Sequence, residues 1–493
     1  MLSDAFLQCF RHEFPYELTP KQEEVAASLC EFVFSDEPLG VYILRGYAGT
    51  GKTLLVSALV RAMKKLEREV VLLAPTGRAA KVFSVNSGYP AYTIHKQIYR
   101  QRTFDGDESR FDLDRNTYQD TLFIVDESSM ISAKTDEYSI FGSGNLLHDL
   151  LNYVYRSKGC RLLFVGDNAQ LPPVGDDRSP ALQVSVFSEL GFHVNCFQLT
   201  EVMRQAEGSG VLANATMLRQ RINIEDVYDL PVIDAQGYDD IFCPPGDEML
   251  EKLQESYEKT GQEQTIVLTR SNKQANAYNQ GIRSSLLGRE GGLQRGDMIM
   301  VVRNNYYWIE LLIASLKQQK SCEMVPMDFI ANGDIAEVTR VENELELFGF
   351  RFADVSLNFP DYDGFEMNHV RVLLDTLTCD GPSLSREKEQ ELYWRVSEDY
   401  ADVRNKKERI KKIRQDANFN ALQIKYAYAV TCHKAQGGQW TNVFLDQGWL
   451  PPDGIDVSYY RWLYTAFTRP TGSLYLLSWP EQQMCIQSSE TVL

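Results

Sequence analysis

The nine cysteines of this 493-residue chain are scattered and include no CxxC pair. That absence excludes a zinc-ribbon spacing and a disulfide framework, and it points to free thiols in a reducing compartment, so a cytoplasmic location is expected. Long hydrophobic runs are missing too. No stretch approaches the roughly 18 apolar residues that a bilayer span requires, and no membrane partner is expected. The opening MLSDAFLQCF lacks the basic start and small-residue cleavage site of a secretory leader. Positive charge is in deficit, with 50 Lys and Arg against 68 Asp and Glu for a net charge of −18. At face value this argues against a nucleic-acid partner, because affinity for phosphate backbones comes largely from Lys and Arg. What the chain does have is a globular composition, 44% apolar and 24% charged, in a length that suggests three or four units. No internal repeat or low-complexity linker interrupts it.

The strongest local signal lies near the start. Val41-Tyr42-Ile43-Leu44 is a short apolar, β-branched run with the character of a buried parallel strand. It runs into Gly46-Tyr47-Ala48-Gly49-Thr50-Gly51-Lys52-Thr53, and a helical pattern follows from Leu54 to Met63. Strand, glycine loop and helix are the context in which G-x-x-x-x-G-K-[ST] cradles phosphate. Gly46, Gly49 and Gly51 free the backbone to turn its N–H groups towards phosphate oxygens, with Thr50 and Leu54 alongside. Lys52 would reach the β- and γ-phosphates of ATP, and the Thr53 hydroxyl would ligate Mg²⁺.

Two further apolar strands end in polar loops. Thr121 to Val125 closes on Asp126-Glu127. There Asp126 would hold the Mg²⁺ shell and Glu127 would orient or deprotonate the attacking water. Arg161 to Val165 closes on Gly166 to Gly175, where the Gln170 amide can donate to a phosphate oxygen and accept from water. Three such strands indicate an open parallel sheet with its ligands along one edge.

With these residues in place the chain resembles the superfamily 1 helicases of the B class, the RecD, Dda and Pif type. Gly46 to Thr53 and Asp126-Glu127-Ser128-Ser129-Met130 look like the family's motifs I and II. Thr19-Pro20-Lys21-Gln22 is similar to the Q motif, so the resemblance gives Gln22 the adenine. Ala74 to Lys81 resembles motif Ia, Thr93-Ile94-His95-Lys96 motif Ib, and Gly166 to Gly175 motif III. Leu199 to Gln205 is similar to motif IV, Thr431 to Gly437 to motif V, and Tyr464 to Arg469 to motif VI. The family's pattern makes Arg204 and Arg469 the arginines that reach the γ-phosphate from a second domain, a contribution worth roughly 10³–10⁵ in rate in other NTPases. Two departures stand out: Gly438-Gln439 replaces the usual pair after motif V, and Pro470 follows Arg469, where a proline should end the helix.

The resemblance implies an α/β fold with two RecA-like P-loop motor domains built on parallel sheets. The first is expected at residues 1–98 and 121–200, the second at 201–330 and 421–493. Residues 99–120 alternate like a β-hairpin and are expected to form the pin or wedge, with Tyr99, Phe104 and Phe111 as candidates for touching the fork, a packed hairpin base explaining some of them equally well. Residues 331–420 are expected to hold an SH3-like β insertion with a charged helical segment over 385–416. That basic stretch reads as a solvated face ahead of a DNA-touching arm. The strand Met298 to Val302 is assigned to the second motor domain.

A strand-tracking protein grips sugar and phosphate without reading bases, through hydroxyls, amides, basic groups and aromatic stacking. Pro75, Thr76, Lys81, Phe83, Thr93, His95 and Lys96 are the candidates on the first domain. Arg270, Asn272, Asn304, Thr431, His433 and Lys434 are those on the second. Three stretches, 71–104, 264–289 and 417–445, contain no Asp or Glu and hold many of these positions, so a basic path can run through an acidic molecule. The expectation is an ATP- and Mg²⁺-dependent 5′→3′ DNA helicase acting as a monomer on single-stranded and forked duplex DNA, with single-strand-binding, replication or repair proteins as possible partners. An RNA helicase, and an ATPase subunit that signals without unwinding, compete with it.

Overall fold

The computed structural model describes residues 2–35, 37–101, 111–136, 139, 141–201, 208–319, 325–327, 329–450 and 454–485. Strands β1 (Gly40–Gly46), β2 (Val70–Ala74) and β3 (Ala91–Thr93) open a six-stranded sheet. Outside it, β4 (Tyr99–Gln101) and β5 (Phe111–Leu113) pair antiparallel. The sheet is completed by β6 (Leu122–Val125), β7 (Arg161–Gly166) and β8 (His193–Leu199). Its order is β3-β2-β6-β7-β1-β8, all parallel. Val41, Tyr42, Ile43 and Leu44 are fully buried, as strands covered on both faces by helices must be. Because β6, β7 and β1 are neighbours, the loops after Val125, Gly166 and Gly46 emerge side by side at one sheet edge.

Next come β9 (Ile241–Phe242), β10 (Thr265–Thr269) and five barrel strands: β11 (Met298–Val301), β12 (Ile335–Leu347), β13 (Phe350–Phe359), β14 (Phe365–Leu373) and β15 (Leu422–Tyr426). The chain then returns through β16 (Ala429–Thr431), β17 (Trp440–Leu445) and β18 (Pro470–Leu476). A second parallel sheet has the order β16-β10-β17-β18-β9, and β11 to β15 close into a barrel. The barrel therefore takes Met298–Val301, which the sequence reading assigned to the second parallel sheet, and also β15 from the returning segment. A four-residue apolar run is compatible with either place; its antiparallel pairing with both β12 and β15 decides it.

The charged segment forms two helices, Arg386–Asp399 and Lys406–Arg414. Leu392, Val396 and Ile413 pack them onto barrel residues Phe350, Phe352 and Leu373, and Lys406, Lys411 and Lys412 stay exposed.

Two assignments at the hairpin need correction. Tyr99 is buried and donates to Asp149 Oδ2 at 2.8 Å. Phe111 is buried with its ring 4.5 Å from that of Tyr306 and 5.0 Å from that of Phe141. Both are the packed base of β4–β5 rather than groups at a fork, since burying an aromatic ring outweighs leaving it in water. Phe104 and the hairpin tip lie outside the described residues.

Candidate functional site

The glycine loop adopts the geometry its spacing requires. Gly49 and Gly51 have φ of 74° and 81°, the left-handed region that side chains avoid. A Cβ on Gly46 would stand 2.7 Å from Lys52 Cγ and 2.9 Å from Thr50 Oγ1. The helix Lys52–Lys65 starts directly behind, with the N–H groups of its first turn free of intrahelical acceptors. Lys52 Nζ donates to Tyr47 O at 2.9 Å and Thr50 Oγ1 to the same oxygen at 2.8 Å. Thr53 is half-buried beside Lys52, and Leu54 is 38% exposed. Gln22 is 1% exposed. Its amide closes a capping box with Thr19 and donates to Thr50 O at 3.3 Å, so here it braces the loop.

Across the crevice the chain kinks at Glu127, whose φ is 50°, and the Glu127 N–H donates to Asp126 Oδ1 at 2.8 Å. Burial, and then the Glu127 charge, push the Asp126 carboxyl up to about 7, against the pull of Lys52. Burial also raises Asp167, while Lys52 and the Tyr464 hydroxyl pull it back. Lys52, Asp126, Glu127 and Asp167 thus share one electrostatic neighbourhood. Among the described residues, Ser129 Oγ, Asn168 Oδ1 and Gln170 Oε1 are buried there without a hydrogen-bond partner. Buried polar atoms are ordinarily paired, so these suit a polar ligand. The oxygen donors of Thr53 and Asp126 suit Mg²⁺, a hard cation.

The second sheet's domain reaches into this site through the helix Val457–Phe467. Its Tyr464 hydroxyl accepts from Ala48 N at 3.1 Å and donates to Asp167 Oδ2. Thr465 Oγ1 accepts from Leu171 N at 2.9 Å, and Gln436 donates to Leu171 O at 2.8 Å. Asp167 and Tyr464 were not among the residues singled out from sequence, although a carboxylate immediately after an apolar strand was a usable signal. Arg469 is 2% exposed and donates to Thr465 O, Gly438 O and Thr468 Oγ1 at 3.0–3.1 Å. It therefore caps the carboxyl end of its own helix, where terminal carbonyls attract a cation. Pro470 starts β18, as its effect on a helix predicts. Arg204 lies outside the described residues.

Several nucleic-acid candidates meet at the barrel. Thr76, following Pro75, caps the helix Gly77–Ser87 by accepting from Ala79 N at 3.2 Å, and Thr93 caps Ile94–Ile98. Lys81 donates to Pro360 O, Lys96 to Pro326 O at 3.1 Å and Lys434 to Asn332 Oδ1, while Asn304 Oδ1 accepts from Asn332 N at 2.7 Å. A Cβ on Gly437 would be 3.3 Å from Thr76 Oγ1, so the loop after Thr431 and His433 lies on that helix start. Arg78 stacks 4.1 Å from the Trp440 ring, lining a cleft of about 290 Å³ with Lys81, Asp361 and Gln439.

Other candidates lie elsewhere or carry no charge. Arg270 packs over the Tyr459 and Trp462 rings, and Asn272 begins the helix Asn272–Gly281. His95 sits among the Tyr99, Phe141 and Phe329 rings, and burial pushes its pKa down to about 4, leaving it neutral at pH 7. Burial lowers His433 as well. Phe83 needs correction as a base-stacking group: it is 1% exposed in the first domain's core. It occupies the inward face of its helix, where an apolar ring is driven. Arg283 and Arg289, in one of the acid-free stretches, pair with buried Asp297.

The fold and site define a P-loop protein with two parallel-sheet domains bridged at the nucleotide crevice. Residues 17–228 match the family model of an AAA domain, and residues 426–477 that of a UvrD-like helicase C-terminal domain. Over these two segments the chain is similar to helicase motor domains, and its curated relatives include ATP-dependent DNA helicases. An uncharacterized protein, R530, of Acanthamoeba polyphaga mimivirus is 22% identical over 92% of this chain and 98% of its own. The ATP-dependent RecD2 DNA helicase of Deinococcus radiodurans is 33% identical over 35% of this chain and 21% of its own. A solved Pif1 helicase from Bacteroides in complex with ADP-AlF3 and ssDNA is 16% identical, with 96% of this chain and 95% of that chain covered and a TM-score of 0.45. The chain spans only 12–34% of the length of three of the curated relatives it matches.

Proposed function

We propose that the protein is an ATP-dependent DNA helicase that moves 5′→3′ along single-stranded DNA and separates duplex ahead of it. The observation that carries this reading is the Ala48–Tyr464–Asp167 bridge, by which a helix of the second domain holds the P-loop itself. A crevice whose two walls belong to different domains converts occupancy into relative motion. Lys52 and the loop N–H groups would bind the phosphates, and Thr53 with Asp126 would hold Mg²⁺, which neutralises charge between the phosphates. Glu127 takes the proton of the attacking water, Gln170 orients that water, and Arg204 and Arg469 stabilise the charge that develops. Lys81, Lys96 and Lys434, with Thr76, Thr93, Thr431 and Asn304, follow the sugar-phosphate chain past an SH3-like barrel, and the β4–β5 hairpin acts as the pin. The molecule works as a cytoplasmic monomer on single-stranded and forked DNA, alongside single-strand-binding or repair proteins. Unwinding of 5′-tailed and 3′-tailed DNA duplexes with Mg·ATP tests the reading. Separation confined to the 5′-tailed substrate is expected; separation of neither, or of the 3′-tailed duplex alone, would sink it.

A further inference from the structure

Arg219 is a buried cation without an anion. It lies on the helix Gly210–Asn223 of the second domain and is 7% exposed. Among the described residues it makes no ion pair, and its Nε is buried without a hydrogen-bond partner. A guanidinium withdrawn from water in this way is costly unless something at the site compensates it. Among the described residues its close partner is the ring of Tyr47, with the guanidinium carbon 4.2 Å from the centroid. Tyr47 is the second residue of the glycine loop, and its side chain reaches out of the first sheet's core towards the second domain. It is buried within the core of the second domain, together with Ala169 and Leu171 from the loop after β7. Its hydroxyl accepts from Asn223 Nδ2 at 2.8 Å, on the same helix as Arg219, and from Gln198 Nε2 at the end of β8.

These contacts form a clamp. The ring of Tyr47 is held on its face by Arg219 and at its hydroxyl by residues of both domains. Tyr47 O, on the same residue, receives both Lys52 Nζ and Thr50 Oγ1. A shift of the Gly210–Asn223 helix therefore moves the carbonyl that holds the phosphate-binding lysine. Burial and the Asp167 charge push the Tyr464 hydroxyl well up and the Arg219 charge pulls slightly back, so Arg219 lies in the field of the hydroxyl that bridges Ala48 and Asp167.

We propose that Arg219 is a positioning residue for ATP hydrolysis, acting through the Tyr47 ring to set the crown of the P-loop from the second domain. A flat guanidinium on an aromatic face is held more strongly when shielded from water. A displacement of about 1 Å at reacting groups costs on the order of 10²-fold in rate. The clamp therefore acts mainly on turnover and weakly on nucleotide affinity. This rests on the ATPase reading of the crevice.

The test compares Arg219→Ala, Arg219→Lys, Tyr47→Phe and Tyr47→Ala in the full chain. It measures kcat and KM for ATP with saturating poly-dT, and the thermal midpoint with and without Mg·ADP. Arg219→Ala is expected to lower kcat about tenfold or more while KM changes less than about threefold. Tyr47→Phe, which keeps the ring, should retain kcat within about threefold, and Arg219→Lys should fall between wild type and Arg219→Ala. Adding Arg219→Ala to Tyr47→Ala should cost little more than Tyr47→Ala alone, because the two residues act as a unit. Unchanged kcat in Arg219→Ala, fully additive losses, or a lower midpoint with normal kcat would each overturn the proposal. A wild-type chain that turns over no ATP would refute the ATPase reading instead. The clamp would then be judged by the Mg·ADP midpoint shift, which Arg219→Ala should reduce and Tyr47→Phe should keep; an Arg219→Ala shift equal to wild type would overturn it.

Discussion

The two parallel sheets are built alike and equipped differently. In the first, β1, β6 and β7 end side by side in Gly46, Asp126 and Asp167, and three buried polar atoms among those loops have no partner. In the second, the corresponding ends are satisfied. Thr269 Oγ1 donates to Ser271 O at 3.1 Å, and Asp446 accepts from Tyr278 and from Gly448 N at 2.7 Å. One sheet keeps unsatisfied donors and acceptors for a ligand, while the other closes its own ends and sends side chains across: Tyr464, Thr465, Gln436 and Arg219. Duplicated architecture has not duplicated the chemistry, which sits where polar groups are left unpaired.

The largest effect should come from Glu127, the second of two adjacent strand-end carboxylates, where the second sheet has only Asp446 followed by Gln447. Glu127→Gln keeps size and hydrogen bonding but cannot take a proton, so ATP binding should persist while turnover falls by roughly 10²–10⁴-fold. Lys52→Ala should instead weaken nucleotide binding itself. Titration with a fluorescent ATP analogue beside steady-state hydrolysis separates the two. Substantial turnover in Glu127→Gln would place the base elsewhere and undo the contrast between the sheets.

Phe83 tests the other side of the comparison, the part of the first domain that is only scaffold. Its ring fills the core between the helix Gly77–Ser87 and the first sheet. Phe83→Ala should therefore cost roughly 3–5 kcal/mol of stability while folded protein keeps its affinity for poly-dT. Lys81→Ala should do the reverse. Denaturant unfolding paired with DNA titration reads both, and a Phe83→Ala protein of normal stability but weak DNA binding would reinstate the ring as a stacking group.

The glycine loop, the carboxylates and the neutral glutamine could be read from sequence because each is local: a strand, a turn and a few side chains at fixed spacing. Tyr99 and Phe111 could not, because their roles depend on which face of a short strand meets Asp149, Phe141 or Tyr306 across the chain. Phe83 could not because its role depends on which face of its helix meets the first domain's core. The strand Met298–Val301 looked like any buried strand until its antiparallel neighbours, about forty and 125 residues later in the chain, were known. Tyr464 and Arg219 went unnoticed for the same reason. Their significance lies entirely in a partner in the other domain.

Tyr464→Phe sharpens what the second domain contributes. It deletes one hydroxyl, leaving Ala48 N without its acceptor and the Oδ2 of buried Asp167 without its donor, a loss of roughly 1–3 kcal/mol. If the bridge holds the P-loop for catalysis, kcat should drop about tenfold with the thermal midpoint only slightly lowered. A fall in the midpoint with normal kcat would make the bridge a structural tie alone.

The smallest effect concerns Lys434, whose ammonium burial pushes down to about 8. Between that value and the ordinary lysine range near 10.4, the unfolded chain binds a proton that the folded chain has lost, so this group's contribution makes stability rise with pH across that window. Its contribution to binding a phosphate backbone has the opposite sign, because the charge disappears as pH climbs through about 8. Wild type should thus lose about a few-fold in poly-dT affinity between about pH 7 and 9, the weight of a single phosphate contact, while gaining stability relative to Lys434→Met. Lys434→Met should show neither trend. DNA affinity that falls equally in both proteins would remove Lys434 from the strand path and leave it a tether to Asn332 on the barrel.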